Sequence, residues 1–316
     1  MSGTKIVSKL AVQIQTGSSY EQDSMTLIPV LTGRLTESPA MIEDESYVGN
    51  AFRDVPQRGT VSISGTIGFQ IDPVSLTPLM EATLGDKTSE VFLFDKHEKK
   101  LSVCMYDGVY TNKYADVYIK SLRITGSAGN KLNGEMELVG ISSVTRESGD
   151  TFPSSLIENG EFFHFHEASG TGYLRVGDLA NALGSADNLE FDDFSIEFVT
   201  GFDEQFCNNK YSLKPLFGMS APSVTGSFKI SRYDNDDFLN YHEDGTRLQM
   251  ELYFHKGTGN TIKFEVPNFI IEAELSDDEV TAISCSMTVG RNGIGSNYRN
   301  SNMTFNSPVR VTLDAA

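Results

Sequence analysis

Apolar and polar residues alternate one for one along much of the chain, the pattern of strands with one buried and one wetted face. Val61, Ile63, Gly65, Ile67, Phe69 and Ile71 interleave with Thr60, Ser62, Ser64, Thr66, Gly68 and Gln70. No long stretch places apolar residues every three or four positions, as an amphipathic helix requires. Glycine is abundant, at 28 residues, and Ser, Thr and Asn recur between the apolar runs, so the pattern predicts a mainly β protein.

The same strand occurs twice. Ser62-Ile63-Ser64-Gly65-Thr66-Ile67-Gly68-Phe69 matches Ser223-Val224-Thr225-Gly226-Ser227-Phe228-Lys229-Ile230 nearly class for class, at an offset of 161 (223 − 62). A repeat of this kind sets the whole reading of a fold. Leu101, Val103 and Met105 align with Ile262, Phe264 and Val266 at the same offset. Beyond them Ile119, Ile124, Leu132, Met136 and Leu138 meet Ile270, Leu275, Ile283, Met287 and Val289 at 151 (270 − 119). The first copy is therefore expected to hold about ten extra residues (161 − 151), at 107–116. Upstream, Ile28, Val30, Thr32 and Gly33 align with Ile196, Phe198, Thr200 and Gly201 at 168 (196 − 28), which makes the loop 34–58 longer in the first copy.

Each copy has one short helix signal. Thr77 before Pro78, with Gly85 after Leu84, reads as an N-cap, a first-turn proline and a terminal glycine. In the second copy the acidic run Asp234 to Asp237 leads into Phe238-Leu239 and stops at Gly245. The expected organisation is two tandem β-sandwich or barrel domains, each with one short helix. The first covers 1–150, a connection with strand-like Phe162 to Phe165 covers 151–188, and the second covers 189–316. Its last part, 291–316, is read as an arm or a dangling tail.

Length agrees with this count, since 316 residues fit two domains of ordinary size. No apolar run approaches the roughly 18 residues that cross a bilayer, and Leu10 to Ile14 is too short and polar for a secretory signal core, so no membrane partner is expected. Cys104, Cys207 and Cys285 are odd in number and widely spaced, which predicts free thiols, with Cys285 on a buried strand face beside Ile283 and Met287. The formal net charge is −18, from 43 acids against 25 bases. Such a chain does not seek nucleic acid, which needs Lys and Arg to displace its counterions.

Candidate chemistry is sparse. The sequence contains no G-x-x-x-x-G-K-[ST] loop and no G-x-S-x-G elbow, and Gly170, Gly172 and Gly177 miss the dinucleotide spacing, so neither a cofactor nor a catalytic set is expected. Asp234, Asp236 and Asp237 lack the fifth ligand and the glycine of a calcium loop. His164 and His166, beside Glu167, read as alternate residues of an exposed strand and supply too few ligands for a metal. Tyr110 and Tyr114, in the expected insertion, and Tyr47 and Phe52, in the long loop, are aromatic residues at positions expected to be exposed. Contact with a neighbouring subunit is one reading for them and an ordinary turn residue the other.

Several stretches together carry a resemblance. They are the loop from Glu37-Ser38-Pro39-Ala40 through Phe52-Arg53-Asp54-Val55-Pro56, the Ser/Thr/Gly strand from Thr60, and Pro78-Leu79-Met80-Glu81-Ala82-Thr83-Leu84-Gly85. With the closing strands Val117 to Ile141 and their second copy, they resemble the major tail tube proteins of long-tailed, non-contractile bacteriophages, in the variety whose tube domain is duplicated within one chain. The resemblance implies a structural virion protein, made in the host cytoplasm, that assembles with itself into stacked rings. Each domain would contribute strands to an inner β-barrel shared between subunits, and a six-domain ring would need three chains. It further implies a tape measure protein, a tail terminator and distal tail proteins as partners, with genomic DNA passing through the lumen unbound. Under this reading Ser62, Ser64, Thr66, Glu135 and Glu137 face the lumen. The rival reading is a two-domain β-sandwich adhesin or carbohydrate-binding protein, against which stands the absence of any Trp for sugar stacking.

Overall fold

A computed structural model of the chain describes residues 9–42, 57–85, 87–94, 99–140, 145–168, 172–206, 213–217, 222–230, 237–257, 259–275, 282–290 and 298–314. The fold is mainly β. The first strands are β1 (Lys9–Gln15), β2 (Met25–Ile28), β3 (Val30–Gly33), β4 (Thr36–Ile42) and β5 (Gln57–Gln70). Helix α1 (Pro73–Leu84) and the small hairpin β6 (Lys87–Thr88) and β7 (Val91–Leu93) follow, then β8 (Lys100–Tyr106), β9 (Tyr110–Ser127), β10 (Asn133–Gly140), β11 (Thr145–Ser148) and β12 (Leu156–Ile157). The second run comprises β13 (Tyr173–Asp178), β14 (Phe191–Val199), β15 (Phe202–Phe206), β16 (Leu213–Phe217), β17 (Ser223–Ile230), α2 (Asp237–Glu243), β18 (Leu248–Lys256), β19 (Asn260–Leu275), β20 (Ile283–Val289) and β21 (Arg310–Asp314).

The two runs pair in the same order. In the first, β1 pairs β8, β8 pairs β9, β9 pairs β10, β10 pairs β5, and β5 pairs β3 and β4. In the second, β13, β18, β19, β20, β17 and β14 follow one another likewise. The registers agree as well. Ile67 lies opposite Met136 on one side and Gly33 on the other, and its counterpart Phe228 lies opposite Cys285 and Phe194. An irregularity between Leu101 and Val103 recurs between Leu248 and Met250, and one between Val30 and Thr32 recurs between Phe191 and Asp193. The repeated glycine has a physical cause. A Cβ on Gly65 would lie 2.2 Å from the Arg34 carbonyl oxygen, and one on Gly226 would lie 2.5 Å from that of Ser195, so both crossings admit only a hydrogen at that point.

Pairing corrects several expectations. Leu101, Val103 and Met105 belong to β8, which stands where β18 stands, so they match Leu248, Met250 and Leu252 rather than residues of β19. By the same pairing Met136 matches Cys285. The stretch 107–116 is no insertion: Asp107 to Val109 form a tight turn whose backbone is held by the Asp107 carboxylate, and β9 begins at Tyr110. Between the repeated strand and the strand after the helix, the first run is longer than the second by the greater length of α1 and by the β6–β7 hairpin. Ile28 ends β2 on β1, and the strands that answer β14 are β3 and β4. Ser38 opposite Ser62 matches Val199 opposite Ser223, so the segments leading to the two repeated strands are equally long. In the expected connection, β13 pairs β18 as β1 pairs β8, so the second strand set begins before residue 189. Within the expected arm, residues 298–314 are neither free arm nor loose tail: β21 pairs both β19 and β7, and Val309, Val311 and Leu313 are buried.

Helix α1 starts earlier than Thr77. Asp72 is its N-cap, accepting from the Val74 and Ser75 amides at 3.0 Å, with Pro73 at the first position. Pro78 therefore sits inside the helix, and Thr77 turns its hydroxyl back to the Pro73 carbonyl at 2.8 Å. The helix packs on β9, β1 and β2, whereas α2 packs on β19. One contiguous apolar core runs through both strand sets, from Leu10, Phe69 and Leu79 to Phe254, Phe264 and Phe269.

Candidate functional site: one polar sheet face

The two strand sets join through a ladder of seven residue pairs between β14 and β9, from Asp193 opposite Ser127 to Val199 opposite Ser121. Phe194, Ile196 and Phe198 turn to the core side of this junction and are buried. Phe194 meets Phe254 at a ring distance of 5.4 Å, and Phe198 meets Phe264 at 6.4 Å. At about 2 kcal/mol for each apolar side chain removed from water, the junction is firm.

The opposite face of the same strands is polar and continuous. Reading across the sheet from β4 to β19, Ser38 and Thr36 face Ser62 and Ser64 on β5, and Thr66 faces Glu137 on β10. Next come Ser121, Arg123 and Thr125 on β9, then Val199, Glu197 and Ser195 on β14. Ser223, Thr225 and Ser227 follow on β17, with Thr288, Ser286 and Ser284 on β20 and Ile270, Glu272 and Glu274 on β19. Hydroxyls are satisfied locally: Ser62 donates to the Ser38 carbonyl at 3.3 Å, and the Ser195 and Ser227 hydroxyls lie 2.9 Å apart. The carboxylates Glu135, Glu137, Asp193, Glu197, Glu272 and Glu274 outnumber the cations Lys120, Arg123 and Lys229. Lys120 is engaged with Glu137 at 2.9 Å. Burial lifts the Asp193 carboxyl above its ordinary range, with Lys229 opposite it acting the other way.

Ser62, Ser64, Thr66, Glu135 and Glu137 thus come together on one sheet face. Tyr110 and Tyr114 do not share a loop. Both lie in β9; Tyr110 is 40% exposed beside the Val109 turn, while Tyr114 is 3% exposed and donates its hydroxyl to the Leu35 carbonyl at 3.5 Å. Tyr114 is therefore a core residue, since alternation along an extended strand turns it inward. Tyr47 and Phe52 lie outside the described residues, as do Asp234, Asp236 and Cys207. His164 and His166 are not strand neighbours. They flank Phe165 at a short 3₁₀ turn, Phe165–Ala168, where the Glu167 carboxylate accepts from the His164 amide at 2.7 Å. Among the described residues no group of three or more His, Cys, Asp or Glu is gathered to hold a metal ion. Cys104 and Cys285 are free and buried.

The sequence did not single out the β21 contact. Arg310 donates twice to Glu265 at 2.5 Å, and Lys263 donates to Glu265 at 3.0 Å and to Glu251 at 3.2 Å. Acid–base alternation in Glu265 and Arg310 was the only available signal, and it is common on any wetted strand. An open groove of about 430 Å³ beside β1 is lined by Lys9, Leu27, Asp150, Phe152, Pro153 and Leu156. Its only charges form one ion pair, Lys9 to Asp150 at 3.0 Å. No helix among the described residues is long and apolar enough to cross a membrane.

A broad polar sheet backed by a shared apolar core makes this a mainly β protein. More specifically, a family model described as phage tail tube protein matches residues 7–296, nearly the whole chain, and the chain belongs to that family. No curated protein matches the chain.

Proposed function

We propose that the chain carries a duplicated tube domain and assembles with itself into stacked rings, three chains to a ring, forming the tail tube of a long-tailed, non-contractile phage. The polar sheet face lines the bore through which genomic DNA leaves for the host. One observation carries this reading: the polar face crosses from the first strand set to the second without a break, through the β14–β9 ladder. A wall built this way has its apolar core outside and water inside, and ring closure pairs edges that would otherwise aggregate. Carboxylates in excess and hydroxyls give DNA no row of cations to hold, and net negative charge repels it within a Debye length of roughly 8 Å. Val109, 59% exposed, and Tyr110 at the β8–β9 turn are the contact offered to a neighbouring ring. Tape measure, terminator and distal tail proteins are the partners that follow from the same reading.

Negative-stain microscopy of the purified chain at high concentration is the test. Hollow tubes of fixed diameter are expected, and persistent monomers would sink the proposal. In such tubes, replacing Glu135 and Glu137 with Lys is expected to make the bore retain DNA. If DNA recovery is unchanged, this face does not line the lumen.

A further inference from the structure

The junction inside the chain serves as a template for a junction between chains. There, β14 uses the side not taken by β17, and β9 uses the stretch beyond its pairing with β8. The strands in these two positions in the opposite sets are β4 and the end of β19. Among the described residues, β4 is paired only to β5, and Glu272 to Leu275 only to β20. We infer that the free edge Thr36 to Ser38 of one chain pairs antiparallel with the free edge Glu272 to Leu275 of a second copy, with Thr36 opposite Glu274 and Ser38 opposite Glu272; this rests on the ring reading above.

Matched positions fix the register. Thr36 and Ser38 lie opposite Ser64 and Ser62 on β5, as Glu197 and Val199 lie opposite Thr225 and Ser223 on β17. Glu272 and Glu274 lie opposite Ser286 and Ser284 on β20, as Ser121 and Arg123 lie opposite Glu137 and Glu135 on β10. The internal ladder sets Glu197 opposite Arg123 and Val199 opposite Ser121, which carries over to the two pairs named. Charge agrees: exposed Arg34, two residues before Thr36, falls diagonal to Glu274, within reach of a long side chain.

The contact between chains is built weaker than the one inside. Thr200 extends the internal ladder, its amide donating to the Lys120 carbonyl at 3.1 Å and its hydroxyl to that of Ile119 at 2.9 Å. Pro39 occupies the matching position and has no amide hydrogen to give, so the ladder between chains ends at Ser38. Phe198 is matched by Glu37, which removes an aromatic anchor. A proline and three carboxylates, Glu37, Glu272 and Glu274, on the free edges are devices that keep an edge from pairing indiscriminately. The chain is thus the durable unit, and rings open between chains rather than within one.

Cysteine cross-linking of the full chain, in a Cys207→Ser background, tests the register. Ser38→Cys with Glu272→Cys places the thiols directly opposite, at Cα distances of about 4.5–5.5 Å, inside the disulfide range. Ser38→Cys with Glu274→Cys is a diagonal pair at roughly 7–8 Å and serves as the control. Under mild oxidation the in-register pair should yield at least ten times more covalent chain multiples than the diagonal pair or either single variant. Tubes without that cross-link, or equal yields from both pairs, overturn the edge pairing and leave the tube intact. In-register cross-links from a chain that never forms tubes keep the pairing and overturn the tube, while neither tubes nor cross-links overturn both. Pro39→Thr, which restores the missing donor, should lower the polymerisation threshold several-fold; an unchanged or higher threshold counts against the pairing.

Discussion

Arg310→Met isolates the ion cluster that fastens the last strand to β19. Glu265 has a side chain only 4% exposed, and Arg310 supplies two of its hydrogen bonds from a side chain 35% exposed. Burial alone would raise the Glu265 carboxyl, yet the Arg310 hydrogen bonds and the Lys263 charge outweigh it and hold that carboxyl below its ordinary value of 4.5. Methionine keeps an unbranched apolar stem while removing the guanidinium, and with it the guanidinium's stacking over the Phe305 ring at 4.6 Å. Breaking a buried pair from one side costs about 3–5 kcal/mol. Because Lys263 remains and Arg310 is partly screened by water, the expected loss is about 2–3 kcal/mol. Urea unfolding of the unassembled chain at pH 7 reads this as a midpoint lower by roughly 1 M, at an m-value of 2–3 kcal/mol/M. Adding Glu265→Gln should recover most of the loss, since the cost is an under-compensated buried charge. The pH dependence has a definite sign. A carboxyl whose folded pKa is depressed contributes stability above its unfolded value, and that contribution is lost as pH falls through the folded value. The gap between wild type and Arg310→Met should therefore narrow on acidification below about 4.5. A midpoint loss under about 0.5 kcal/mol, or a gap that stays constant from pH 7 to pH 3, would refute the reasoning.

Three other outcomes follow from the packing. Gly126→Ala would place a methyl 2.5 Å from the Phe194 ring and 2.6 Å from Leu132, forcing the β9–β14 junction apart. It should cost about 1–3 kcal/mol and make the junction susceptible to limited proteolysis, so a fully resistant variant would show that the strands can shift freely. Asp72→Ala removes the cap of α1 and also the acceptor of the Gly160 amide at 2.9 Å, so a loss of about 2 kcal/mol in urea is expected and a change within 0.3 would contradict the assigned cap. Burial pushes the Cys285 thiol up to about 12 and raises that of Cys104. In a Cys207→Ser background neither should react with an alkylating reagent at pH 8 until denaturant is added, and rapid native labelling would show that the strands around them open.

Much of the architecture was legible because burial writes itself into alternation. The strand Ser62 to Phe69, its second copy, the two short helices and the burial of Cys285 all follow from which residues prefer water and which do not. The glycine shared by Gly65 and Gly226 was visible as a repeat, although its reason, a carbonyl crossing too close for a Cβ, appears only in three dimensions. Ser62, Ser64, Thr66, Glu135 and Glu137 could be grouped on one face from parity alone. The Arg310–Glu265 cluster could not, since the partners are joined by a register that spans most of one strand set.

The sequence by itself determined that this chain is a mainly β protein with a twice-used strand, polar on one side and apolar on the other. Tertiary structure decided which strand faces which. Side chains repeat every two residues along a strand, so Leu101 shares its facing with both Ile262 and Leu248, and Met136 with both Met287 and Cys285. A slip by an even number preserves the apolar face and leaves no trace in the pattern. Only the backbone hydrogen bonds of a particular neighbour discriminate between such registers, and those bonds form between residues distant in the chain.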